Sequence, residues 1–584
     1  MNKLRIKFQY RVFILFGLIG LLLGSTSCQD QLKENFYNPD RQTKPDFAML
    51  FTGVLQSTEL FRMEYGPQYH QIRAFNRMLG LGTFPDANSW NNAAVGSSQL
   101  WTSWSGVTLR ETQFNKAYDF NKNVPILNLM INGLSAEEKP NYEIYVDCVN
   151  IVKAFIFQRL TDIYDDVPFS EANGAYQQKF FAKYDSQQFI YHTLLDELKT
   201  ISTKLHGYQL NSSLAHSQFK TADILNNGDI TKWEKFANSL RLRMALRLEV
   251  VEPDVSKAVI ADIVNNNLPV VTDDNDLIGL AEKDFAHVME YYWPRAVAEM
   301  YYNCTAPRFM IRNLMGYNGP GTDEATVDPR MKVIFQPNSK GDYIGLDVWS
   351  PTQVAEANAD MQAFNYDATW VSDAINWNYD DHLDPHYSMY NKMTYFNYNL
   401  KFPAFTPSET HLILAEAAIR YPELASKIDA AAEYRKAMQQ SIDWYYSMNS
   451  SNTFGPTSTP PVPTNIMPNS QPTKPSASVI NAWLDSKVTS FNALNAQDKY
   501  KAIFYQKYIH LNIFNHWELW SEHRRLVKEL GTGFIYEHAS KVFAWMERFY
   551  YPSGEATTNP DNFKAVSTQN DVVTPVWWTG RKNK

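Results

Sequence analysis

From about residue 135 onward, apolar residues recur every three or four positions, the spacing that lays them along one face of an α-helix. Ser135-Ala136-Glu137-Glu138 has the form of a capping box, and Tyr142, Tyr145, Val149, Val152 and Phe155 follow it at helical spacing. Thr231-Lys232-Trp233-Glu234 repeats that form. In the run it opens, Trp233, Phe236, Leu240 and Met244 share a face, while Arg243 and Arg247 stand one turn apart. Ser408 precedes a third apolar stretch, HLILAEAAIR, which stops before Pro422; residues 427–447 and 496–530 also carry helical patterns. Several of these segments come in pairs with short connections, as in stacked tetratricopeptide-like hairpins, although no clean 34-residue consensus repeats. The expected fold is therefore mostly α: helical hairpins forming a scaffold, a loop-rich ligand face and a few short strands.

Three stretches break the helical pattern. Between about 270 and 405, Asn, Asp, Gly, Pro and aromatics take over, with short apolar runs such as VIF and YIGL that suit small strands. A segment of that length inside a compact domain usually carries function. Residues 86–106 are rich in Asn, Ser and Gly, and residues 455–475 hold seven prolines, as an exposed loop would. The N-terminus differs again. Lys3, Arg5, Lys7 and Arg11 precede an uncharged apolar run from Val12 to Leu23, then Gly24-Ser25-Thr26-Ser27 and Cys28. That order is an export signal over residues 1–27, and a cysteine just after the small residues marks Cys28 as the lipid anchor of a bacterial lipoprotein. Residues 28–45 are polar, with Pro39 and Pro45, and read as a lipidated tether; residues 46–584 are expected to form a single domain.

Composition narrows the function. The chain has 584 residues, 44% hydrophobic, 20% charged and 14% aromatic, enough for a large core and unlike a disordered chain. A net charge of −8 argues against nucleic acid as a partner. Cys148 and Cys304 are the remaining cysteines, read as two buried thiols rather than one disulfide, and no Cys/His spacing suggests zinc. HExxH, GxSxG, P-loop and complete GxGxxG motifs are all absent, and Gly531-Thr532-Gly533 reads as a helix-ending turn. His516, Glu522 and His523 are read as core and surface neighbours rather than a metal site. Asp273-Asp274-Asn275-Asp276 and the acids at 380, 381 and 384 could offer oxygens to structural calcium, but neither fits the twelve-residue calcium loop, so no cofactor is expected. Glu416 sits within an apolar helix face, where a carboxylate needs a structural partner; Arg243 or Arg435 is the expected one.

Loop aromatics are the remaining signal. Trp90, Asn92 and Trp101, with Trp104, fall in the first irregular stretch, and Trp293, Trp370 and Trp377 in or near the second. An indole face packs against the C–H patch of a sugar ring while Asn, Asp and Arg take its hydroxyls. Trp90, Asn92, Trp101, Trp293 and Trp377 are the expected ligand-binding residues of a non-catalytic binder.

Several blocks together resemble the SusD/RagB-like family of outer-membrane nutrient-binding lipoproteins of Bacteroidota, in the branch associated with starch binding. They are the leader with Cys28, IYDDVPFSEA at 163–172, WEKFANSLRLRMALRLE at 233–249, DPRMKVIFQP with YIGLDV at 328–348, FTPSETHLILAEAAIR at 405–420, YQKYIHLNIFNHWELWSEHRRL at 505–526, RFYYPSGEATTNPDNFKA at 548–565 and VWWTGRK at 576–582. The resemblance implies tetratricopeptide-like helix pairs under a variable ligand face, and no enzyme activity. It also implies a SusC-like TonB-dependent outer-membrane transporter as partner. The lipoprotein, anchored at the cell exterior, would close over it as a lid and deliver an oligosaccharide or, alternatively, a peptide. A surface glycan hydrolase is the remaining alternative.

Overall fold

The computed structural model describes residues 46–56, 117–118, 120–210, 212–281, 305–346, 353–375, 386–395, 397, 400–452, 470–534 and 546–581. The expected leader, Cys28 and the tether lie outside these residues. The fold is mostly helical. In chain order the longer helices are α1 Phe47–Gln56, α2 Asn123–Asn132, α3 Glu143–Tyr164, α4 Gln187–Leu205, α5 Ser213–Ala222, α6 Ile230–Arg247 and α7 Pro253–Asn265. After a loop-rich region holding α8 Gln353–Ala363 and α9 Ala368–Ile375 come α10 Pro407–Arg420, α11 Ala430–Ser450, α12 Ala477–Ala493, α13 Ala496–Leu511 and α14 His516–Leu530.

Sequence neighbours pack as hairpins. α3 lies on α4, α6 on α7, α10 on α11, α11 on α12 and α13 on α14. The pairs join through α6, which touches α3, α4 and α10. Side-chain caps set where α4, α6 and α10 to α14 begin, each oxygen accepting one or more of the backbone N–H groups that the first turn leaves unpaired. α6 starts at Asp229, which accepts from Lys232 N, so Thr231 lies inside the helix rather than at its cap. α10 is capped by Thr406, two residues ahead of Ser408, with Pro407 at its first position. The reciprocal Ser135–Glu138 hydrogen bonds form, but they close a turn, and α3 begins only at Glu143.

One cluster of buried apolar side chains runs from Phe47 to Trp578 through all these hairpins. Cys148 lies within it as a free thiol, and Cys304 is outside the described residues. Among the described residues, three two-stranded antiparallel sheets tie the loops down: β1 Val167–Pro168 with β2 Tyr184–Asp185, β3 Ile278–Ala281 with β6 Lys401–Phe405, and β4 Phe335–Gln336 with β5 Met389–Tyr390. The β3–β6 pair brings together the two ends of the irregular region. A bulge next to Gly279 puts Phe402 O 2.2 Å from where a Cβ would stand, so only glycine fits there. A second, small core of Ile344, Leu346, Met361, Val371 and Tyr387 lies inside that region and forms a lobe of its own with α8 and α9.

Charges cross the interior of the scaffold. Glu416 accepts two hydrogen bonds from Arg525, at 2.7 and 2.8 Å, and one from Arg420 at 2.7 Å. Arg525 also grips Glu522, which accepts from Lys507 at 2.6 Å, and Arg420 reaches on to Glu249 and Glu529. The expected Glu416–Arg243 pairing is therefore corrected. Arg243 holds Glu409 through two bonds of 2.7 and 2.9 Å, and Arg435 lies at the surface on Asp485. One face of α10 turns Glu409 toward α6 and its other end turns Glu416 toward α14, so the carboxylate nearest Arg243 is the one two turns earlier in the helix. Burial alone would raise the Glu416 carboxyl, but Arg525, Arg420 and Lys507 outweigh it and hold it at about 2.

Candidate functional site

Trp90, Asn92, Trp101, Trp293 and Trp377 lie outside the described residues, as does the acidic cluster at 380–384. Of the loop tryptophans, Trp370 is described, and its own lobe already engages it. Its ring centroid lies 4.5 Å from that of His386, the two planes tilted by 58°, with Tyr366 edge-on at 5.9 Å and Lys340 Nζ 4.4 Å from its centroid. The Asp273–Asp276 group is also engaged. Asp276 accepts from Lys235 Nζ at 2.6 Å and from the backbone N–H of Asp273. Among the described residues no group of three or more His, Cys, Asp or Glu could hold a metal ion. Glu522, the carboxylate beside His523, is committed to Arg525 and Lys507, and burial pushes His523 down to about 3.

A cleft of about 640 Å³ opens where the irregular region meets the scaffold. One wall is the loop 317–332; the other is the end of α11 at Tyr446 and the segment 473–483 that starts α12. Such a volume lies within the range of sites that enclose small ligands. The loop is held in place from beneath. Arg330 is fully buried and donates to Asp328 at 2.5 and 2.9 Å, to Ser441 of α11 at 3.0 Å and to Gln506 of α13 at 2.6 Å. Tyr446 OH donates to Pro329 O at 3.0 Å. On the outer side, Asp342 accepts from Tyr317 at 3.1 Å and from Tyr366 at 2.5 Å, which links the cleft to the small lobe. Gly319, at φ 113°, lets the Phe364 ring of that lobe come within 2.0 Å of where a Cβ would sit.

Three aromatic side chains line the cleft: half-buried Tyr317, and Tyr446 and Trp483 beneath it. Val327, Met331 and Val479 add aliphatic surface. On the rim Glu324 pairs with Lys332 at 2.7 Å and Lys474 with Asp443 at 2.5 Å, while buried Asp328, which also lines the cleft, is held by Arg330. Burial first, then nearby carboxylates, raises the phenols of Tyr317 and Tyr446, so both stay neutral donors at physiological pH. This is the chemistry of a binding surface, with apolar faces for stacking and polar groups around the edge. The DPRM block had marked this loop only as part of a resemblance. Tyr446 falls in the helical pattern of 427–447, so periodicity hides it, and Trp483 lies on α12, outside the segments whose spacing marks a helix.

The fold and cleft define a helical scaffold protein with a loop-built cleft. A family model described as "Starch-binding associating with outer membrane", SusD-like, matches residues 103–552. That is most of the chain, and the protein belongs to the SusD-like family. Among solved structures, a chitin-binding protein is similar at 21% identity and a TM-score of 0.61, covering 91% of this chain and 100% of its own. A SusD homologue from Bacteroides fragilis NCTC 9343 is similar at 17% identity and a TM-score of 0.62, over 92% and 100%. Another, from Bacteroides vulgatus ATCC 8482, is 17% identical with a TM-score of 0.60, over 92% and 99%. At these identities the likeness establishes the shared fold. No curated protein sequence matches the chain.

Proposed function

We propose that the protein is a cell-surface nutrient-binding lipoprotein that captures an oligosaccharide and delivers it to a SusC-like TonB-dependent transporter, over which it acts as a lid. The observation that carries this reading is the aromatic-bearing cleft on the loop-rich side of a chain from a starch-binding, outer-membrane-associated family. Likeness to a chitin-binding protein supports a glycan as the ligand class. On this reading Cys28 carries the lipid and faces the protein to the cell exterior, while Trp90, Asn92, Trp101, Trp293 and Trp377 extend the platform for sugar rings. The protein binds its ligand without turning it over.

Two measurements test the reading. A glycan and peptide array on the purified protein should retain oligosaccharides unchanged. Retention of peptides alone would replace the ligand class, and glycan turnover abolished by a single Asp or Glu substitution would make the protein an enzyme. Pull-down from gently solubilised outer membranes should bring a stoichiometric transporter with it. Recovery of the protein alone, even after cross-linking, removes the partner from the proposal.

A further inference from the structure

Away from the cleft, two adjacent aromatic side chains stand in water. Among the described residues Phe180, at 70%, is the most exposed large apolar side chain, and Phe181 beside it is 65% exposed. Both belong to the loop between β1 and β2, where all of residues 177–183 except Ala182 are exposed. The fold nevertheless holds this loop firmly. The carbonyls of Phe181 and Ala182 accept from the side-chain amides of Asn562 at 3.1 Å and Asn559 at 2.8 Å, and Lys183 N–H donates to Glu171 at 3.2 Å. Gln178, at φ 60°, makes the turn that lets Lys179 N–H donate to Gly174 O at 3.1 Å. The backbone beneath the two rings is therefore ordered before any partner arrives, which lowers the cost of binding through them.

The surroundings point to a lipid surface as that partner. Residues 172–184 contain no acid, and Lys179 and Lys183 bracket the rings. Lys179 pairs with Glu171 at 3.3 Å and Lys183 with Asp185 at 3.5 Å; with side chains 42% and 55% exposed, both ammonium groups keep N–H donors for a phosphate. The root of the loop is fastened near the point where the tether joins the fold. Tyr118 OH donates to Pro168 O at 2.6 Å, and Asn121 donates to Asn173 at 2.9 Å. These residues lead into α2, which packs on α1, the helix that follows residues 28–45. α1 and α2 carry no charged side chain, and Met49, Ile126 and Leu129 on them are exposed, so neither helix sets a charge against an approaching apolar surface.

Resting on the lipid-anchored reading above, we infer that the loop 177–183 is a second membrane contact. Phe180 and Phe181 enter the boundary between headgroups and acyl chains of the outer membrane, and Lys179 and Lys183 meet lipid phosphates. Apolar and aromatic side chains with flanking lysines are the composition of an interfacial anchor. Residues 29–45 span at most about 60 Å when extended, so an anchored Cys28 keeps the loop near the bilayer. A contact too weak to recruit the protein by itself then suffices to set its orientation.

The test uses the chain from residue 29 onward, which keeps every described residue and lacks the lipid, with vesicles of phosphatidylethanolamine and lipopolysaccharide. Flotation should show weak binding. Phe180→Ser with Phe181→Ser, at exposed sites that do not threaten folding, should weaken it at least about tenfold; thermal melting confirms that the variant folds. Lys179→Gln with Lys183→Gln should weaken it about fivefold at low salt and little at high salt. No binding by the parent chain, or equal binding by the parent and the phenylalanine variant, overturns the inference. So does a phenylalanine variant that loses transporter co-purification but still floats with vesicles, which assigns the rings to a protein partner. If mass spectrometry finds no acyl group on Cys28 of the protein from native membranes, the anchor reading falls, while the vesicle assay decides the loop on its own.

Discussion

The scaffold and the small lobe are built from the same residue types but solve opposite problems. In the scaffold one core runs from α1 to the C-terminal segment, and its charges form a closed ladder in which Arg243 meets Glu409 and Arg525 meets Glu416 and Glu522. The lobe around α8 and α9 rests on five buried apolar residues, and its chief ion pairs, Arg308 and Arg312 on Asp360, are partly exposed. In that ladder each of these carboxylates is already held by an arginine. The cleft falls at the seam, where Tyr446 and Trp483 of the rigid part face the loop 317–332 that the lobe steadies from outside. The difference teaches that stability and recognition are carried by separate sets of polar side chains.

The sharpest way to break that comparison is to open the ladder. Arg525→Leu would leave Glu416 and Glu522 buried with part of their compensation removed, and loss of one partner from such a pair costs about 3–5 kcal/mol. Guanidinium denaturation should show that loss, while ligand affinity per folded molecule stays the same. A loss below about 1 kcal/mol would mean the ladder does not carry stability.

Acid should act on the same part of the molecule. Burial, and then Arg330, pushes His510 down to about 3; burial also lowers His523 to about 3. Both are neutral in the folded protein, whereas the unfolded chain takes up their protons near pH 6.5. Their contribution is therefore complete above pH 6.5 and is lost as pH falls toward 3. Glu416, held at about 2, adds its own loss below about pH 4.5. Unfolding free energy should decline by a few kcal/mol between pH 6.5 and 4, and His510→Gln should flatten that limb.

The lobe should respond differently. Met361 is fully buried in the small core, and Met361→Ala should cost about 2–5 kcal/mol, within the lobe. Hydrogen exchange would then rise across 305–346 and 353–375 while α3, α6 and α10 keep their protection, and ligand binding would weaken. Exchange that rises equally in the scaffold would show that the two regions unfold as one.

Much of the scaffold was legible because it is local. Helical spacing marks α3, α6, α10, α11, α13 and α14, and Gly531 does end α14, at φ 70°. Cap positions slipped by two residues, since Asp229 and Thr406 compete with Thr231 and Ser408 for the same role and spacing cannot rank them. α8, α9 and α12 were missed; α8 in particular is short and weakly amphipathic, within a stretch dominated by loop residues. Pairing across long separations leaves no local trace. β3 meets β6 more than a hundred residues later, and Glu416 chooses Arg525 over Arg243 by helix orientation alone. The cleft was hidden for a related reason. Tyr446 obeys helix-core spacing, and Trp483 lies on α12, which no expected helix covers, and is itself part of the main core.

The smallest expected effect on stability separates the two sets of charges most cleanly. Glu324 and Lys332 pair at 2.7 Å on the cleft rim, with side chains 78% and 40% exposed. Water screens such a pair and side-chain entropy opposes it, so its net worth is about 0–1 kcal/mol. Lys332→Ala should therefore leave the unfolding free energy within about 0.5 kcal/mol of the parent. The same change releases the Glu324 oxygen that Lys332 occupies and alters the charge at the cleft mouth, so glycan affinity should shift measurably. Arg525→Leu predicts the reverse pattern, with stability lost and affinity kept. If Lys332→Ala moves stability and not binding, the rim belongs to the scaffold's ladder after all, and the division between the two regions must be redrawn on the other side of the loop 317–332.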